Sequence, residues 1–335
     1  MSTDIFICHT AYHLLIALSK VLSNSNGSRK NSIAYDLMLM DTIPNCSKLA
    51  EKINKTNLFK TVMLEGSDHS FASSSYFKTA LELLFRGKRY SRLVDALREY
   101  DDIYVFNDVT EVGCVLNEAR IKYHLIEDGL NCFKLFDQNN TSVGVASFRQ
   151  IANIFLHLPS HMAESDYCLD LEINDASSLS TTINKKLIEL PRTKLFSRLD
   201  EDAVAHIQSI FSCPDSACLN EASLVLTTPF CELGFSSAEQ KTYYAKVLSR
   251  LPPQSCFIKP HPRDFFDYTQ LVSRERIIDR TIPIEVLFLG GNIHLQAVIS
   301  YMSTAVQSCP AVQKIITKPG LLIPGIENWN IEIGD

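Results

Sequence analysis

The chain has 335 residues, which exceeds the usual size of one compact core and favours two domains. Hydrophobic residues make up 46% and charged residues 21% of the sequence, a balance typical of a folded globular protein. The net charge of −6 argues against a nucleic-acid-binding protein.

The N-terminal stretch and the cysteines both favour the cytoplasm. "MSTDIFICHTAYHLL" carries Asp4 and no basic region before its apolar residues, so it does not resemble a signal peptide. No uncharged apolar run reaches about 18 residues, the length that spans a bilayer. None of the ten cysteines forms a C-x-x-C pair, which favours reduced core thiols over a zinc or redox site.

The first part of the chain alternates between strand and helix patterns. "DIFIC" (4–8) predicts a short buried strand, and the helical spacing that starts at Ala11 puts Thr10 where it can cap the first turn. Further strands are predicted at 35–40, 102–106 and 121–126, and further helices at 76–85, 90–99 and 110–119. This alternation is typical of a parallel sheet with helices on both faces.

Residues 130–205 interrupt this rhythm with polar runs such as "FDQNNTSVG", and we expect an irregular or helical insertion there. After a linker-like stretch the alternation restarts. In this second part the predicted strands are 223–228, 255–260, 297–301 and 314–317, and the predicted helices are 237–251, 282–289 and 303–308. The sequence therefore predicts an α/β protein with Rossmann-like domains over 1–212 and 213–335.

Unusual polar residues gather where the predicted strands end. Ligands of open α/β sheets bind beyond the carboxyl ends of the strands, so the residue types at those positions are informative. The relevant strand ends carry His9 and Thr10; Glu127, Asp128 and Gly129; Thr227, Thr228 and Pro229; His261 and Pro262; and Ser303 and Thr304. The first sheet thus offers two acids, and the second offers a histidine and several hydroxyl groups.

Glu127 and Asp128 lie side by side in "HLIEDGLNCF" (124–133), directly after a predicted strand. Two carboxylates that face one site repel each other, which raises the pKa of one of them and makes it a better general base. A polar turn that leaves through Gly129 is the alternative interpretation. Both interpretations stay open at this point.

Lys259, His261 and Arg263 place three cationic or ionisable side chains within five residues, a pattern that suits an anionic ligand. A structural turn is the alternative for His261. Ser303 and Thr304 precede a predicted helix, so they either cap it or add hydroxyl groups to a phosphate site at its start. The two roles can coexist.

Patterns for metal binding are weak in this sequence. His9 and His13 are four residues apart on one face of the first helix, but no H-E-x-x-H motif accompanies them, so a structural or substrate-contacting role is favoured. No convincing D-x-D triplet occurs, and "DLE" (170–172) is expected at the surface. The sequence therefore predicts neither a catalytic metal site nor a G-x-G-x-x-G dinucleotide site.

The order of these motifs resembles that of the bacterial sialyltransferases of capsule and lipooligosaccharide synthesis, including the lipooligosaccharide sialyltransferase and polysialyltransferase groups. The resemblance lies in the acid-acid-Gly of 127–129, the His-Pro of 261–262 and the Ser-Thr of 303–304. It covers parts of both predicted domains in the same order.

The resemblance implies a GT-B fold, in which two Rossmann-like domains face a central cleft. It also implies an inverting, metal-independent transfer of sialic acid, or a related nonulosonic acid, from a CMP-activated donor to a hydroxyl group of a cell-surface glycan. No cofactor is expected. The partners are the donor and an oligosaccharide or glycolipid acceptor.

Residue chemistry suggests roles within such a reaction. Glu127 is the first candidate for the base that activates the acceptor hydroxyl, and Asp128 is the second. His261, if protonated, and the hydroxyl groups of Ser303 and Thr304 stabilise the departing phosphate. The other donor-side candidates are Gly129, Thr228, Lys259, Pro262 and Glu285, and the acceptor-side candidates are His9, Thr10 and His13.

Two basic stretches, "RGKRYSRL" (86–93) and "RTKLFSRL" (192–199), suit either an anionic membrane beside a lipid-linked acceptor or solvated helix faces. Membrane contact would place the protein at the inner face of the bacterial membrane. The competing functions are another CMP- or CDP-dependent envelope transferase, for Kdo or glycerophosphate, and a catalytically silent nucleotide-binding protein.

Overall fold

The structure of the protein, a computed structural model, describes residues 2–25, 33–66, 88–129, 162–178, 185–214, 216–291, 293–303, 305–323 and 325–333. The chain forms two compact units, Met1–Ala203 and Val204–Asp335. The division falls inside a helix over Glu201–Ile210, whereas the boundary expected from the sequence follows residue 212. Each unit is built on a parallel β-sheet, which confirms the predicted α/β class.

The first unit contains a seven-stranded sheet whose neighbouring strands are all parallel. Its strands are β1 (Ser2–Cys8), β2 (Ile33–Met40), β3 (Thr61–Glu65), β4 (Asp102–Val105), β5 (Tyr123–Ile126), β6 (Cys168–Ile173) and β7 (Lys186–Glu189). Their order in the sheet is β3-β2-β1-β4-β5-β6-β7. The direction of winding reverses between β1 and β4, and ligands of such sheets bind beside this reversal, at the carboxyl ends of the strands.

The helices of the first unit lie between its strands or after the last of them. Those described are α1 (Ala11–Ser25), α2 (Cys46–Asn54), α3 (Lys88–Leu97), α4 (Glu111–Glu118) and α5 (Arg192–Phe196). The next helix, α6 (Glu201–Ile210), belongs partly to each unit. The Thr10 hydroxyl accepts the His13 N–H at 3.2 Å and so caps the first turn of α1. This cap and the start of α1 are confirmed as predicted.

Strand alternation gives the first sheet two different faces. One face packs against α3 and α4 in a hydrophobic core, where burying one large aliphatic side chain stabilises the fold by about 1.5–3 kcal/mol. The strand residues in this core include Ile5, Ile7, Ile103, Val105 and Leu125. On the other face, Phe6 stacks on Tyr104 and Tyr104 stacks on His124, with 4.7 Å and 5.0 Å between ring centroids.

The described part of residues 130–205 is more regular than the sequence suggests, because β6 and β7 extend the sheet. The expectation that "DLE" lies at the surface is wrong, since Asp170 and Glu172 are buried on β6. Glu172 accepts hydrogen bonds from Lys20 Nζ at 2.5 Å and from Arg192 Nη1 at 2.8 Å. These partners compensate its buried charge. Arg192 therefore lies in the interior and not on a solvated or membrane-facing surface.

The second unit contains a five-stranded sheet, again with parallel neighbours throughout. Its strands are β8 (Ser223–Leu226), β9 (Cys256–Lys259), β10 (Leu295–Ser300), β11 (Ala311–Ile316) and β12 (Glu327–Asn328), in the order β12-β11-β10-β8-β9. Its described α-helices are α7 (Ser237–Leu248) and α8 (Ala305–Ser308), and the helix predicted at 282–289 is a 3₁₀ segment over Ile284–Phe288. None of the described helices in either unit is long and apolar enough to cross a membrane.

Aromatic rings form the centre of the core in the second unit. Phe230, Tyr243, Tyr244 and Tyr301 pack together, and Phe230 contacts the other three with ring centroids 4.9 Å, 5.5 Å and 5.0 Å apart. The Tyr244 hydroxyl also accepts the backbone N–H of Thr228 at 2.8 Å. The core thus fixes the chain where it leaves β8.

Replacing Gly113 by alanine tests how closely α4 packs on the turn before it. A Cβ atom at residue 113 would overlap the backbone carbonyl group of Asp108, so the turn at 107–110 would have to move. We expect Gly113→Ala to lower the free energy of unfolding in urea by about 3 kcal/mol, although such changes inside helices are otherwise stabilising.

Gly66→Ala is the matched control for this substitution. Among the described residues, the nearest atom to its Cβ would be Asp41 Oδ2 at 3.7 Å, an ordinary contact. Its free energy of unfolding should therefore change by less than about 0.5 kcal/mol. Equal effects of the two substitutions would contradict the close packing at Gly113.

Candidate functional site

Polar residues at three strand ends meet beside the reversal of the first sheet. β1 leads to His9 and Thr10, β4 leads to Asn107, and β5 leads to Glu127 and Asp128. Because β1, β4 and β5 are neighbours in this order, these residues share one edge of the sheet. That edge is the place where the topology predicts a ligand.

Asp128 is an accessible carboxylate whose two oxygen atoms are both held. Oδ1 accepts a short hydrogen bond from His13 Nε2, and Oδ2 accepts one from Asn107 Nδ2 at 2.8 Å. Burial raises the pKa of Asp128, but the interactions with His13, followed by the hydrogen bond from Asn107, outweigh burial, and the pKa lies below its usual value. The side chain is ionised at pH 7 and 29% exposed. We call Asp128, His13 and Asn107 the carboxylate site.

The hydrogen bonds of His13 place a ring proton on Nε2. Its Nδ1 accepts the backbone N–H of His9 at 3.1 Å, so Nδ1 holds no proton and the Nε2 proton points at Asp128. The ring is 1% exposed and stacks on Phe106 at a centroid distance of 4.3 Å. Both ring nitrogens are in use, so His13, which was expected on the acceptor side, orients Asp128.

Glu127 lies in a different environment from its neighbour. It is 2% exposed, and its Oε2 accepts the backbone N–H of Asn174 at 2.8 Å. Its negative charge also acts on Arg192, the buried arginine that pairs with Glu172. Glu127 is therefore a charge-compensated carboxylate that anchors the chain after β6.

His9, Thr10 and Gly129 flank the carboxylate site in sequence. Burial, followed by the nearby His13, lowers the pKa of His9 to about 4, so its ring is neutral at pH 7. His9 Nδ1 is buried and makes no hydrogen bond among the described residues. The Thr10 hydroxyl is engaged in the cap of α1. No described atom comes within 4 Å of the position that a Cβ atom would take at Gly129.

The second unit has its own polar residues at the carboxyl edge of its sheet. β8 leads to Thr227 and Thr228, β9 leads to His261, and β10 leads to Ser303. β8 lies between β10 and β9, so these residues again share one edge. Thr228 is buried there, and its backbone N–H is already bound to the Tyr244 hydroxyl.

His261 presents one ring nitrogen to a ligand. Its backbone N–H donates to Thr227 Oγ1 at 3.0 Å, and its Nδ1 accepts the backbone N–H of Arg263 at 3.1 Å. Burial, followed by the charge of Arg263, lowers the pKa of His261, so the neutral ring with its proton on Nε2 prevails at pH 7. Nε2 has no hydrogen-bond partner within the described part of the chain. Pro262, which follows, is exposed.

The other two cations expected in this loop are engaged elsewhere. Lys259 is buried, and its Nζ donates to the carbonyl oxygens of Pro260 at 3.0 Å and Arg280 at 3.1 Å. Burial lowers the pKa of Lys259 to about 8. The Arg263 guanidinium pairs with Glu232 at 3.1 Å on an exposed surface. The expected convergence of three cations on one anion is therefore not seen in this loop.

The remaining donor-side candidates occupy separate positions. Ser303 Oγ accepts the backbone N–H of Ala305, the first residue of α8, at 3.2 Å, and Thr304 lies outside the described residues. Glu285 is half-buried in the 3₁₀ segment, and burial raises its pKa although Lys259 acts in the opposite direction. Across the described residues, no three His, Cys, Asp or Glu side chains are grouped so that they could hold a metal ion.

Two residues at these edges are not predicted from the sequence. Asn107 follows β4, and the strand-end rule identifies it once β4 is known to neighbour β1. Asp264 lies three residues after His261 and accepts a hydrogen bond from Thr227 at 2.5 Å. Its sequence context, "HPRDFF", does not distinguish it from a solvated loop acid.

Comparisons of sequence place the chain in a family. The family model for glycosyltransferase family 52 matches residues 40–317. An uncharacterized protein from Haemophilus influenzae is 29% identical over 93 residues, which are 28% of this chain and 30% of that protein. The match thus spans less than a third of the length of that relative.

Two solved sialyltransferase structures share the fold of this chain. The GT-B domain of a sialyltransferase from Photobacterium damselae is 13% identical, with a TM-score of 0.55 over 96% of this chain and 92% of that one. An α/β-galactoside α-2,3-sialyltransferase from Photobacterium phosphoreum is 11% identical, with a TM-score of 0.52 over 94% of this chain and 91% of that one. At these identities the likeness establishes the GT-B fold, while the family model establishes the family. The chain belongs to glycosyltransferase family 52.

Proposed function

We propose that the protein is an inverting, metal-independent glycosyltransferase that moves sialic acid, or a related nonulosonic acid, from a CMP-activated donor to a hydroxyl group of a cell-surface glycan. Membership of glycosyltransferase family 52 supports this class of reaction. The observation that carries the proposal is the carboxylate site, where an ionised and accessible Asp128 is held by His13 and Asn107.

Asp128 is the residue that we assign as the base. A sugar hydroxyl has a pKa far above 7, so it attacks efficiently when a carboxylate within hydrogen-bond distance takes its proton. His13 and Asn107 each occupy one lone pair of Asp128, one on each oxygen. The second lone pair on each oxygen has no partner in the described part of the chain and can accept the proton of an acceptor hydroxyl. Glu127, the first candidate from sequence, is buried and bound to the Asn174 N–H, so the geometry favours Asp128.

His261 is the residue that we assign to the departing phosphate. Negative charge grows on this phosphate as its bond to the sugar breaks, and one well-placed donor to such a charge is worth about 3 kcal/mol, or about a hundredfold in rate. The Nε2–H of the neutral ring supplies such a donor. Ser303 adds a second one, because its oxygen accepts the Ala305 N–H and its own proton has no acceptor among the described residues.

This donor set supports a reaction without a metal ion, because imidazole and hydroxyl groups take the place of a cation at the phosphate. A single attack by the acceptor on the side opposite the phosphate inverts the anomeric centre. Retention would need a further nucleophile and a second displacement. The proposal thus includes both properties: metal independence, which the donor set supports, and inversion, which follows from a single displacement.

The remaining candidate residues keep the donor-side or acceptor-side assignment that the sequence gives them. Pro262, Glu285 and Thr304 stay donor-side candidates, and His9 stays an acceptor-side candidate because its buried Nδ1 makes no hydrogen bond among the described residues. Lys259 acts through the backbone carbonyls that it binds. We place the reaction in the cytoplasm, beside the inner face of the membrane that carries the acceptor.

Substituting the two neighbouring acids tests the assignment of the base. Asp128→Asn keeps the shape of the side chain but removes its basicity, so kcat for transfer should fall by about 10²–10⁴-fold in protein that thermal unfolding shows to be folded. Glu127→Gln is the isosteric control next to it. It should lower the unfolding temperature and keep most of the kcat, because Glu127 is buried. Full turnover by folded Asp128→Asn would remove Asp128 from the reaction.

Removing the His13 donor should change the pH dependence of transfer. In His13→Phe the ring keeps its packing on Phe106, but Asp128 loses a hydrogen bond that lowers its pKa. The acid limb of kcat/KM should therefore move to higher pH. His124→Phe is the matched control, because His124 lies between Asp102 and Asp170 in the same sheet at 3.1 Å and 2.9 Å. His124→Phe should reduce stability and leave the acid limb of kcat/KM in place. If the acid limb does not move in folded His13→Phe, the role of His13 is refuted.

A nucleotide panel in EDTA tests the donor class. We expect CMP at about 100 times its Kd to stabilise the protein by about 2.7 kcal/mol in thermal unfolding, and UMP and GDP to have little effect. Transfer from CMP-sialic acid should persist in EDTA. If the protein prefers CMP-Kdo or CDP-glycerol, that donor replaces the proposed one. CMP binding without turnover would favour a silent nucleotide-binding protein. A loss of transfer in EDTA that Mg²⁺ restores would contradict metal independence.

A further inference from the structure

The loop that carries His261 is closed by a residue with no assigned role. The backbone N–H of Asp264 donates to the carbonyl oxygen of His261 at 2.9 Å, which makes 261–264 a hydrogen-bonded turn. Pro262 takes the second position of this turn, where its fixed φ is favourable. The turn thus links His261 to Asp264 through the backbone.

The Asp264 carboxylate is buried among four donors from different parts of the second unit. It is 3% exposed. It accepts hydrogen bonds from Thr227 Oγ1 at 2.5 Å, Tyr268 OH at 2.6 Å, the Phe266 N–H at 3.1 Å and Gln240 Nε2 at 3.1 Å. Burial, and then the charge of Asp264, raises the pKa of Tyr268, so the phenol keeps the proton that it donates.

Thr227 connects this carboxylate to His261. A threonine hydroxyl has one proton, and this proton is directed to Asp264. The oxygen of the same hydroxyl is then left to accept the backbone N–H of His261 at 3.0 Å. The N–H of His261 is therefore held through Thr227, and its C=O is held directly by the Asp264 N–H.

We infer that Asp264 is a positioning residue for His261: together with the Thr227 hydroxyl, it fixes the peptide groups on both sides of His261 and so sets the direction of Nε2. This inference rests on the proposed function, in which Nε2–H meets the departing phosphate. The ring has its remaining anchor inside the same turn, because Nδ1 accepts the Arg263 N–H. The His261 imidazole and the groups that hold it, from Thr227, Arg263 and Asp264, thus form one hydrogen-bonded cluster.

Stabilising the fold alone does not explain why residue 264 is a buried carboxylate. Well-packed apolar side chains often stabilise an interior as well as or better than a buried charge, so stability alone does not require a carboxylate here. An accepting group at residue 264 does determine which way the Thr227 hydroxyl points. That direction in turn decides whether Thr227 can accept the His261 N–H.

Two substitutions break this chain of hydrogen bonds in different ways. Asp264→Asn leaves one accepting oxygen in place of two. Where the amide nitrogen replaces Oδ2, it donates to Thr227, so the Thr227 hydroxyl reverses and gives up the His261 N–H. Thr227→Val removes the hydroxyl but keeps the branched shape. Because small errors in the position of a reacting group can cost about 100-fold in rate, we expect either change to lower kcat about 10- to 100-fold. The KM for CMP-sialic acid should change less than about threefold.

Thr227→Ser is the matched control, because serine retains the hydroxyl at the same position. It should keep most of the kcat, which separates loss of the hydrogen bond from loss of packing. If Asp264→Asn does not fold, the comparison of Thr227→Val with Thr227→Ser tests the inference by itself. Equal activity of these two threonine variants would overturn it.

The decisive experiment repeats Thr227→Val and Asp264→Asn in a His261→Ala background, with transfer from CMP-sialic acid as the readout. If both residues act through His261, each should cost less than about threefold there, whereas a merely structural defect should reduce the rate by the same factor in both backgrounds. Full additivity would overturn the inference. Unchanged transfer by His261→Ala alone would instead refute the proposed role of His261, so the two failures are distinguishable.

Discussion

The hydrogen bonds from His13 and Asn107 to Asp128 are the interaction on which the first site depends. They keep a partly buried carboxylate ionised and give it one direction, while its remaining lone pairs stay available. The donors lie on α1 and after β4, and Asp128 follows β5, so they meet only because β1, β4 and β5 are neighbours in the sheet. Glu127 faces the interior because consecutive residues of an extended chain point to opposite sides.

The two units use the same device to fix an imidazole. His13 Nδ1 accepts the N–H of His9, and His261 Nδ1 accepts the N–H of Arg263. In each ring a backbone donor excludes the proton from Nδ1 and so assigns it to Nε2. The proton of His13 is used within the protein, on Asp128, whereas that of His261 has no partner in the described residues. One imidazole thus orients a base, and the other offers a donor for an anion.

The sequence predicts the features that depend on local patterns. β1, β5 and β8 follow from short apolar runs, and the cap of α1 follows from Thr10 before a helical pattern. β6 is missed because its acids look like surface residues until Glu172 meets Lys20, which lies 152 positions away in the chain. A distant contact also explains why the sequence alone does not decide between Glu127 and Asp128 as the base. His13, which binds Asp128, lies 115 positions away from it in the chain. Strand order decides such contacts, and local periodicity carries no information about it.

The most direct test of the central claim is a crystal structure of the protein with CMP and an acceptor oligosaccharide bound together. The proposed reaction requires the attacking acceptor hydroxyl to lie within about 2.6–3.2 Å of a carboxylate oxygen of Asp128, with His13 and Asn107 still donating to it. An acceptor hydroxyl bound to Glu127 or to another base, with Asp128 out of reach even through one water molecule, would contradict the assignment.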